Sequence, residues 1–411
     1  MLEIIETAAL PFSPLIGVAP LMRRAFLGED LKPLCAALLA RARENLTDAN
    51  AYLDCSTVLQ LTNNRDSALA VQAQAIEMQA LYSLPARQAA PGLRLLVIMG
   101  PGDLMANTPI EFLLEDSDVS LDMLYVTLES DWPEVVPDHD VMMVAVAESA
   151  DNQPLLQRLA GFVANWPRPV INLPEYIAVL SRDGVCAALQ NVSNLDMPIT
   201  LRTDRATLQA LGAGTTTVGA LLPQDDFPLI VRPIGSHAGQ NLEKITHSDD
   251  LKDYLARVDA EQFYLSRFVD YRNADGLFRK YRIALIEGRA FVCHFAVSSH
   301  WMIHYLNAGM AASAEKRAEE AACMADFDTE FAQRHAPALQ AIYQRMGLAY
   351  LGIDCAETST GDLLIFEIDN AMVVHAMDDE QMFPYKKPAM QKVFTAFRQM
   401  LENARQTTAA D

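Results

Sequence analysis

Apolar residues recur at helical spacing from Leu31 to Leu84, where "LKPLCAALLARARENL", "ANAYLDCSTVLQL" and "RDSALAVQAQAIEMQALYSLP" predict three helices. At Leu93 the period changes. "LRLLVIMG", "LDMLYVTL", "HDVMMVAVAE" and "PVINL" are short apolar runs, with helices predicted over 153–165 and through "RDGVCAALQNV". Strands alternating with helices indicate a parallel sheet of the βαβ kind. The "GPGD" at 100–103 follows a strand but lacks the GxGxxG spacing, so it gives no dinucleotide-binding signal. After Asn194 strands dominate: "MPITLRT", "PLIVRP", "QFYLSRFVDY", "KYRIALIEGRAFVCHFA" and "LGIDCAETSTGDLLIFEIDN" follow one another across mostly short turns. One helix interrupts them, "SDDLKDYLARV", for which Ser248 is the expected N-cap. The pattern therefore reads as α/β and then antiparallel α+β.

The last hairpin raises a chemical question. If its loop is Ser359 to Asp362, Thr358 faces Leu363 and Asp354 faces Glu367. Asp369 shares that face, about 6.6 Å further along the strand, and Gly352 opposite it leaves room. Ile353, Cys355, Leu364, Phe366 and Ile368 fall on the other face as a core-facing set. Opposed like charges destabilise a strand pair, so something positive is expected between the acids. A hard divalent cation such as Mg²⁺ suits one or two carboxylates plus phosphate oxygens; a solvated acidic strand face is the alternative.

Two further stretches belong with it. In "FPLIVRPIGSHAGQNLEKI" a strand ends at Arg232 and runs into Gly235, Ser236, His237, Ala238 and Gly239. Glycines let consecutive backbone N–H groups converge on an anion, although an ordinary glycine-rich hairpin loop has the same composition. In "FRKYRIALIEGRAF" alternation puts Lys280 and Arg282 on one strand face. The segment "SSHWMIHYLNAGM" then offers His300, Trp301, His304, Tyr305 and Asn307 as a polar-aromatic lining for a substrate pocket, with His375 of similar standing.

Composition narrows the classes. The chain has 411 residues, enough for two or three domains. Its net charge of −21 argues against a nucleic-acid partner, which needs clustered Lys and Arg. Cysteines 35, 55, 186, 293, 323 and 355 show no metal-ligand spacing, which fits a reducing cytoplasm. The stretch from Thr7 to Met22 is uncharged, but Glu3 and Glu6 precede it and Pro11, Pro14 and Pro20 interrupt it. It reads as an extended arm on the body rather than a signal peptide or membrane span. The helices at 49–61 and 65–85 resemble a single tetratricopeptide unit, with Ala68, Ala75 and Pro85 near the expected places. One such unit cannot bury its own faces, so a helical cap on the next domain is expected.

The glycine loop, the basic hairpin and the acidic hairpin, in that order, resemble the ATP-grasp superfamily from about His139 to Asn370, nearest to ribosomal-protein glutamate ligases and D-alanine–D-alanine ligase. "SRDGVCAALQNVSNLDMPIT" looks like the family's RDK, helix and PxT stretch, and "PLIVRPIGSHAG" like its strand, basic residue and glycine loop. Glu367 and Asp369 stand thirteen and fifteen residues after Asp354, as in the family's metal hairpin. The resemblance implies a helical cap over 1–90, a Rossmann-like domain preceding the grasp over 91–190, and small and large grasp subdomains over 191–270 and 271–411. It implies ATP and Mg²⁺ as cofactors, with Asp354, Glu367 and Asp369 as metal ligands. Arg232, Lys280 and the 235–239 loop would hold phosphates, and the backbone of Leu265, Ser266, Arg267 and Phe268 would read adenine. Arg232 and Arg282 would be catalytic, and Asn370 would join the substrate pocket or take the place of the family's metal-site asparagine.

The implied activity is an ATP-dependent carboxylate–amine ligase working through an acyl-phosphate on small amino-acid or peptide-like substrates, in a family whose members commonly form homodimers. A phosphotransferase, or a nucleotide-binding protein without turnover that acts through its helical segment, is the alternative. The chain departs from the family at Gly184 and Arg232, where lysines are usual, at Arg267, where glutamate is usual, and at Asp369, where asparagine is usual. "AMVVHAMDD" replaces a small-residue stretch. Arg202, Lys244 and Lys280 are candidate substitutes for the lysine missing at Gly184.

Overall fold

A computed structural model describes residues 12–88, 91–133, 135–223, 225–236 and 239–408. The chain divides into two compact units. One is Met1–Ala178 with Leu348–Gly352 and Asp369–Asp411; the other is Val179–Gly347 with Ile353–Ile368. The helical segment and the βαβ segment thus fall in one unit. Among the described residues no helix is long and apolar enough to cross a membrane.

In the first unit, helices span Val18–Phe26, Lys32–Glu44, Ala49–Leu61 and Arg65–Met78. The first corrects the extended-arm reading for its residues, while positions 1–11 lie outside the described residues. Gly17, at φ +89°, turns the chain into that helix. The Glu111 carboxylate accepts the first helical N–H groups, Val18 at 2.9 Å and Ala19 at 3.0 Å, and Asp54 accepts those of Ile16 and Gly17. Buried Asp54 and half-buried Glu111 therefore do what a local cap does elsewhere.

The third predicted helix stops at Met78, and Leu81–Leu84 forms strand β1 instead. Leu-Tyr-Ser-Leu alternates as a strand does, and Tyr82 is fully buried with its hydroxyl on the carbonyl of Ala75. The strands that follow are β2 (Leu93–Met99), β3 (Val119–Tyr125), β4 (Val141–Val144) and β5 (Val170–Ile171). The sheet order is β1-β3-β2-β4-β5; all neighbours are parallel except the β1 and β3 pair. The helix pair Ala49–Leu61 and Arg65–Met78 reaches the "GPGD" loop after β2, where the Gln72 amide exchanges two hydrogen bonds with the Gly102 backbone at 2.8 and 2.9 Å.

The second unit carries β6 (Leu195–Asp196), β7 (Thr200–Asp204), β8 (Leu229–Pro233), β9 (Glu243–Ile245), β10 (Gln262–Arg267), β11 (Phe278–Ile286) and β12 (Arg289–Ser298), and it holds most of β13 (Tyr350–Glu357) and β14 (Leu363–Asp369). One antiparallel sheet has the order β7-β10-β8-β9, and the other sheet runs β12-β11-β13-β14-β6. Helices Arg205–Gly212 and Ser248–Arg257 cover one face of the first sheet through a core that includes Leu208, Leu251, Val231, Phe263 and Leu265. The N-cap of the second helix is His247 rather than Ser248, because Asp250 reaches back to the His247 N–H at 2.9 Å in a capping box. The α/β and α+β reading stands, with a mainly parallel sheet in one unit and two largely antiparallel sheets in the other.

Asn172 joins β5 to the start of β13 within the first unit. Its side chain donates to the Tyr350 carbonyl at 3.0 Å and accepts the Tyr350 N–H at 3.2 Å, while its own backbone sits at φ +57°. Alanine there would remove two hydrogen bonds to the buried Tyr350 backbone and strain a left-handed residue. We expect Asn172→Ala to lower unfolding free energy by about 2–4 kcal/mol, read from urea denaturation.

Candidate functional site

The site starts from the pleat of β10. Tyr264 pairs with Arg202 of β7 on one side and Arg232 of β8 on the other, so the three side chains form a row across the sheet. Leu201, Val231 and Leu265 form the next row and face the helices. The polar face is therefore fixed by register. On it Arg202 lies over the Tyr264 ring at 5.4 Å and donates to Asp183 at 2.8 Å. Lys244 sits 3.8 Å from the centre of the Phe268 ring. Arg232 is 7% exposed, and its guanidinium donates to the Ser236 hydroxyl at 3.2 Å and to the Ser236 carbonyl. Burial, then the charge of Arg182, pulls its pKa down to about 10.

The acidic hairpin lies in the neighbouring sheet of the same unit. Asp354 is almost wholly buried, and Lys280 reaches it at 2.6 Å while Arg282 grips both of its oxygens at 2.8 and 3.0 Å. Burial alone would raise this carboxyl, but Arg282 and Lys280 hold it well below the usual carboxylate range. Glu367 is paired with Arg182, whose other nitrogen donates to the Phe366 carbonyl at 3.0 Å. Burial and the charge of Asp354 push the Glu367 carboxyl up; Arg182, Arg232 and Lys280 more than offset them, so it too is lowered. Asp369 ends β14 and accepts the Ala371 N–H at 2.8 Å.

Asp354, Glu367, Lys280, Arg282, Arg232 and Arg182 are thus neighbours in one constellation. The positive charge expected beside the acids is present as side chains. Four cations face two carboxylates, so this group carries an excess of positive charge. Arg182 was not among the sequence candidates. Its signal was the "RD" that opens the helix Arg182–Leu189, two residues before Gly184, where the resemblance leads one to expect a lysine. A Cβ on Gly184 would lie 2.4 Å from the Val179 carbonyl oxygen, so the backbone itself excludes a lysine there.

The hairpin loop is one residue shorter than expected. Thr358 N–H donates to the Asp362 carbonyl at 2.9 Å and Gly361 N–H to the Thr358 carbonyl at 3.0 Å, with Gly361 at φ +88°. Thr358 therefore faces Asp362 rather than Leu363, because a left-handed glycine closes a turn of the three-residue type.

Other candidates are distributed as follows. Gly235 and Gly239 both have positive φ, at +77° and +73°, while His237 and Ala238 lie outside the described residues. A Cβ on Gly239 would stand 3.3 Å from the Met302 sulfur, so Gly239 packs closely against Met302. In that segment Trp301 meets Phe268 edge to face at 5.5 Å, and its carbonyl accepts the Tyr271 hydroxyl. His300 stacks on Trp301 at 5.8 Å. His304 is held below the ordinary histidine value by burial and by Lys280 and Arg282; Asn307 accepts its N–H at 3.0 Å. Tyr305 turns to the buried Glu320 at 3.1 Å. Leu265 is core, and Arg267 points away from Arg232, to Asp196 at 2.6 Å. Asn370 and His375 belong to the first unit. Asn370 is fully buried with its amide on Val146 and Thr108, and His375 accepts the Met377 N–H at 3.2 Å.

No protein-family model and no curated protein matches the chain. Among solved structures it is similar to the D-alanine–D-alanine ligase of Bacillus anthracis complexed with ATP, at 13% identity and TM-score 0.46 over 77% of this chain and 99% of that one. An ATP-grasp RimK domain protein from Sphaerobacter thermophilus is similar at 12% identity and TM-score 0.43, over 75% and 99%. The VanG D-Ala:D-Ser ligase of Enterococcus faecalis is similar at 10% identity and TM-score 0.45, over 75% and 99%.

Asp354 supplies the pH dependence of this group. Its folded-state pKa is depressed, so its ion pairs contribute stability above the ordinary aspartate value and lose it as pH falls below that value. Asp354→Asn removes the carboxylate charge that Lys280 and Arg282 grip, and we expect a loss of roughly 2–3 kcal/mol at neutral pH. Circular dichroism during acid titration should show the wild type losing stability from about pH 4 downward, with a flatter response in the variant.

Proposed function

We propose that this constellation binds Mg–ATP, and that the chain is an ATP-dependent carboxylate–amine ligase of the ATP-grasp type acting on small amino-acid or peptide-like substrates. The observation that carries the reading is the charge layout: two hard carboxylates set among four cations, three from two sheets and Arg182 from the start of a helix. A solvated acidic face has no need of Arg182, Lys280 and Arg282 aimed inward. A polyanion with a divalent cation satisfies both signs at once.

The donor set suits Mg²⁺ in kind, since Asp354 and Glu367 offer carboxylate oxygens. When bound, the metal would neutralise phosphoryl charge. Both Asp354 oxygens are engaged by Arg282, so nucleotide must draw the cations off the acids as it enters. In this reading Arg232 and the 235–239 loop hold the terminal phosphates. Arg282 stabilises the phosphoryl group as it moves to the substrate carboxylate, and then the oxyanion formed when an amine displaces phosphate. Phe268, fixed by Lys244 and Trp301, gives an aromatic edge beside the strand whose backbone would read adenine.

A nucleotide-binding protein without turnover is the second reading, favoured by the one observation that Gly184 has no room for the family lysine. The two separate on products. Phosphate release from ATP across a matrix of amino acids, with masses of the products, should yield ADP, phosphate and an amide. A stable phosphoester would instead mean a kinase, and no release with any substrate would favour the binding protein. Glu367→Ala should reduce turnover by about a hundredfold or more while its circular dichroism stays that of the wild type; unreduced turnover would refute the metal assignment.

A further inference from the structure

Arg267 belongs to the strand proposed to read adenine, yet its side chain takes no part in that face. It pairs with Leu229 of β8, one register position from the row of Ser266, and so projects to the helix-covered side of the sheet. There it enters a cavity of about 310 Å³ whose walls include Gln190, Met197, Pro198 and Pro223 with Asp196 and Asp225. This lies near the lower limit for small-ligand pockets, which span about 300–1,000 Å³.

The charges in this cavity are incompletely matched. Arg267 donates to Asp196 at 2.6 Å, but Asp225 stands 3.8 Å from its Nε, beyond hydrogen-bond length. A guanidinium presents five N–H donors in a rigid fork, and a single hydrogen bond to Asp196 uses one. Arg267 is one-third exposed into this space. The result is an arginine edge with donors to spare and a carboxylate to one side, in a mainly polar cavity that Met197 and two prolines also line.

We propose that this cavity is a second small-molecule site, for an α-amino acid bound as its zwitterion. The ligand carboxylate meets the open edge of Arg267, the ammonium meets Asp225, and the side chain rests on Met197, Pro198 and Pro223. Neither half of such a ligand suffices alone. A simple carboxylate is repelled by two aspartates, and a simple amine faces Arg267 without supplying an acceptor for its donors. Because Arg267 lies in β10 next to Phe268, occupancy is sensed at the strand that flanks the nucleotide face.

The test uses the full chain without nucleotide, so it does not depend on the Mg–ATP reading. Calorimetry with millimolar glycine, L-alanine and L-glutamate should show saturable binding of at least one, and none of acetate or methylamine. Asp225→Asn and Arg267→Met should each weaken that binding roughly tenfold or more, and Asp225→Asn should leave Mg–ATP binding unchanged. The proposal is overturned if no amino acid binds, if acetate or methylamine binds equally well, or if both variants bind as the wild type while Arg282→Ala loses the ligand.

Discussion

A buried carboxylate can stay ionised only if its surroundings return what water gave it. Asp354 does so through Lys280 and Arg282, which arrive from β11 in a register that alternation along a single strand guarantees. That contact fixes more than one ion pair. It commits β11 and β13 to lie side by side with Lys280, Arg282 and Asp354 on a common face, and it sets the sign of the space around them. Glu367 then needs its own partner, and Arg182 at the start of the helix Arg182–Leu189 supplies it. The adjoining sheet adds Arg232, held by the loop that follows it.

The consequence is a group of side chains whose positive charge exceeds its negative charge although the chain as a whole carries −21. Basic residues are scarce here, and several of them are concentrated on two sheet faces of one unit. Lys280 and Arg282 share Asp354, Arg182 takes Glu367, and the excess positive charge stays with the group. In the Mg–ATP reading we propose, a triphosphate with its divalent cation takes over those internal pairs, phosphate meeting the cations and metal meeting the acids.

Much of this was legible from residue order. Period changes near Leu93 and Asn194 separated helical, parallel and antiparallel regions, and strict alternation in "KYRIALI" put Lys280 and Arg282 on one strand face. What escaped was set by contacts distant in the chain. Leu81–Leu84 looks like the tail of a helix until β3 is available to pair with it. The helix start is capped by Asp54, 37 residues from Gly17, and by Glu111, 93 residues from Val18, so no local signal marks it. Arg182 could not be connected to Glu367 because 185 residues separate them. The loop of the acidic hairpin turned on whether Gly361 would take a left-handed conformation, which fixes the pairing of Thr358. Arg267 was read by its place in the strand, whereas alternation sends its side chain to the other face.

The central claim is that these six charged groups accept a metal only together with a polyphosphate. Calorimetric titration of the wild-type chain with Mg²⁺ alone, followed by Mg–ATP, tests it directly. The account predicts no saturable heat from the bare cation and saturable binding of the complex. Equal affinity for Mg²⁺ alone, or no binding of Mg–ATP, would contradict it.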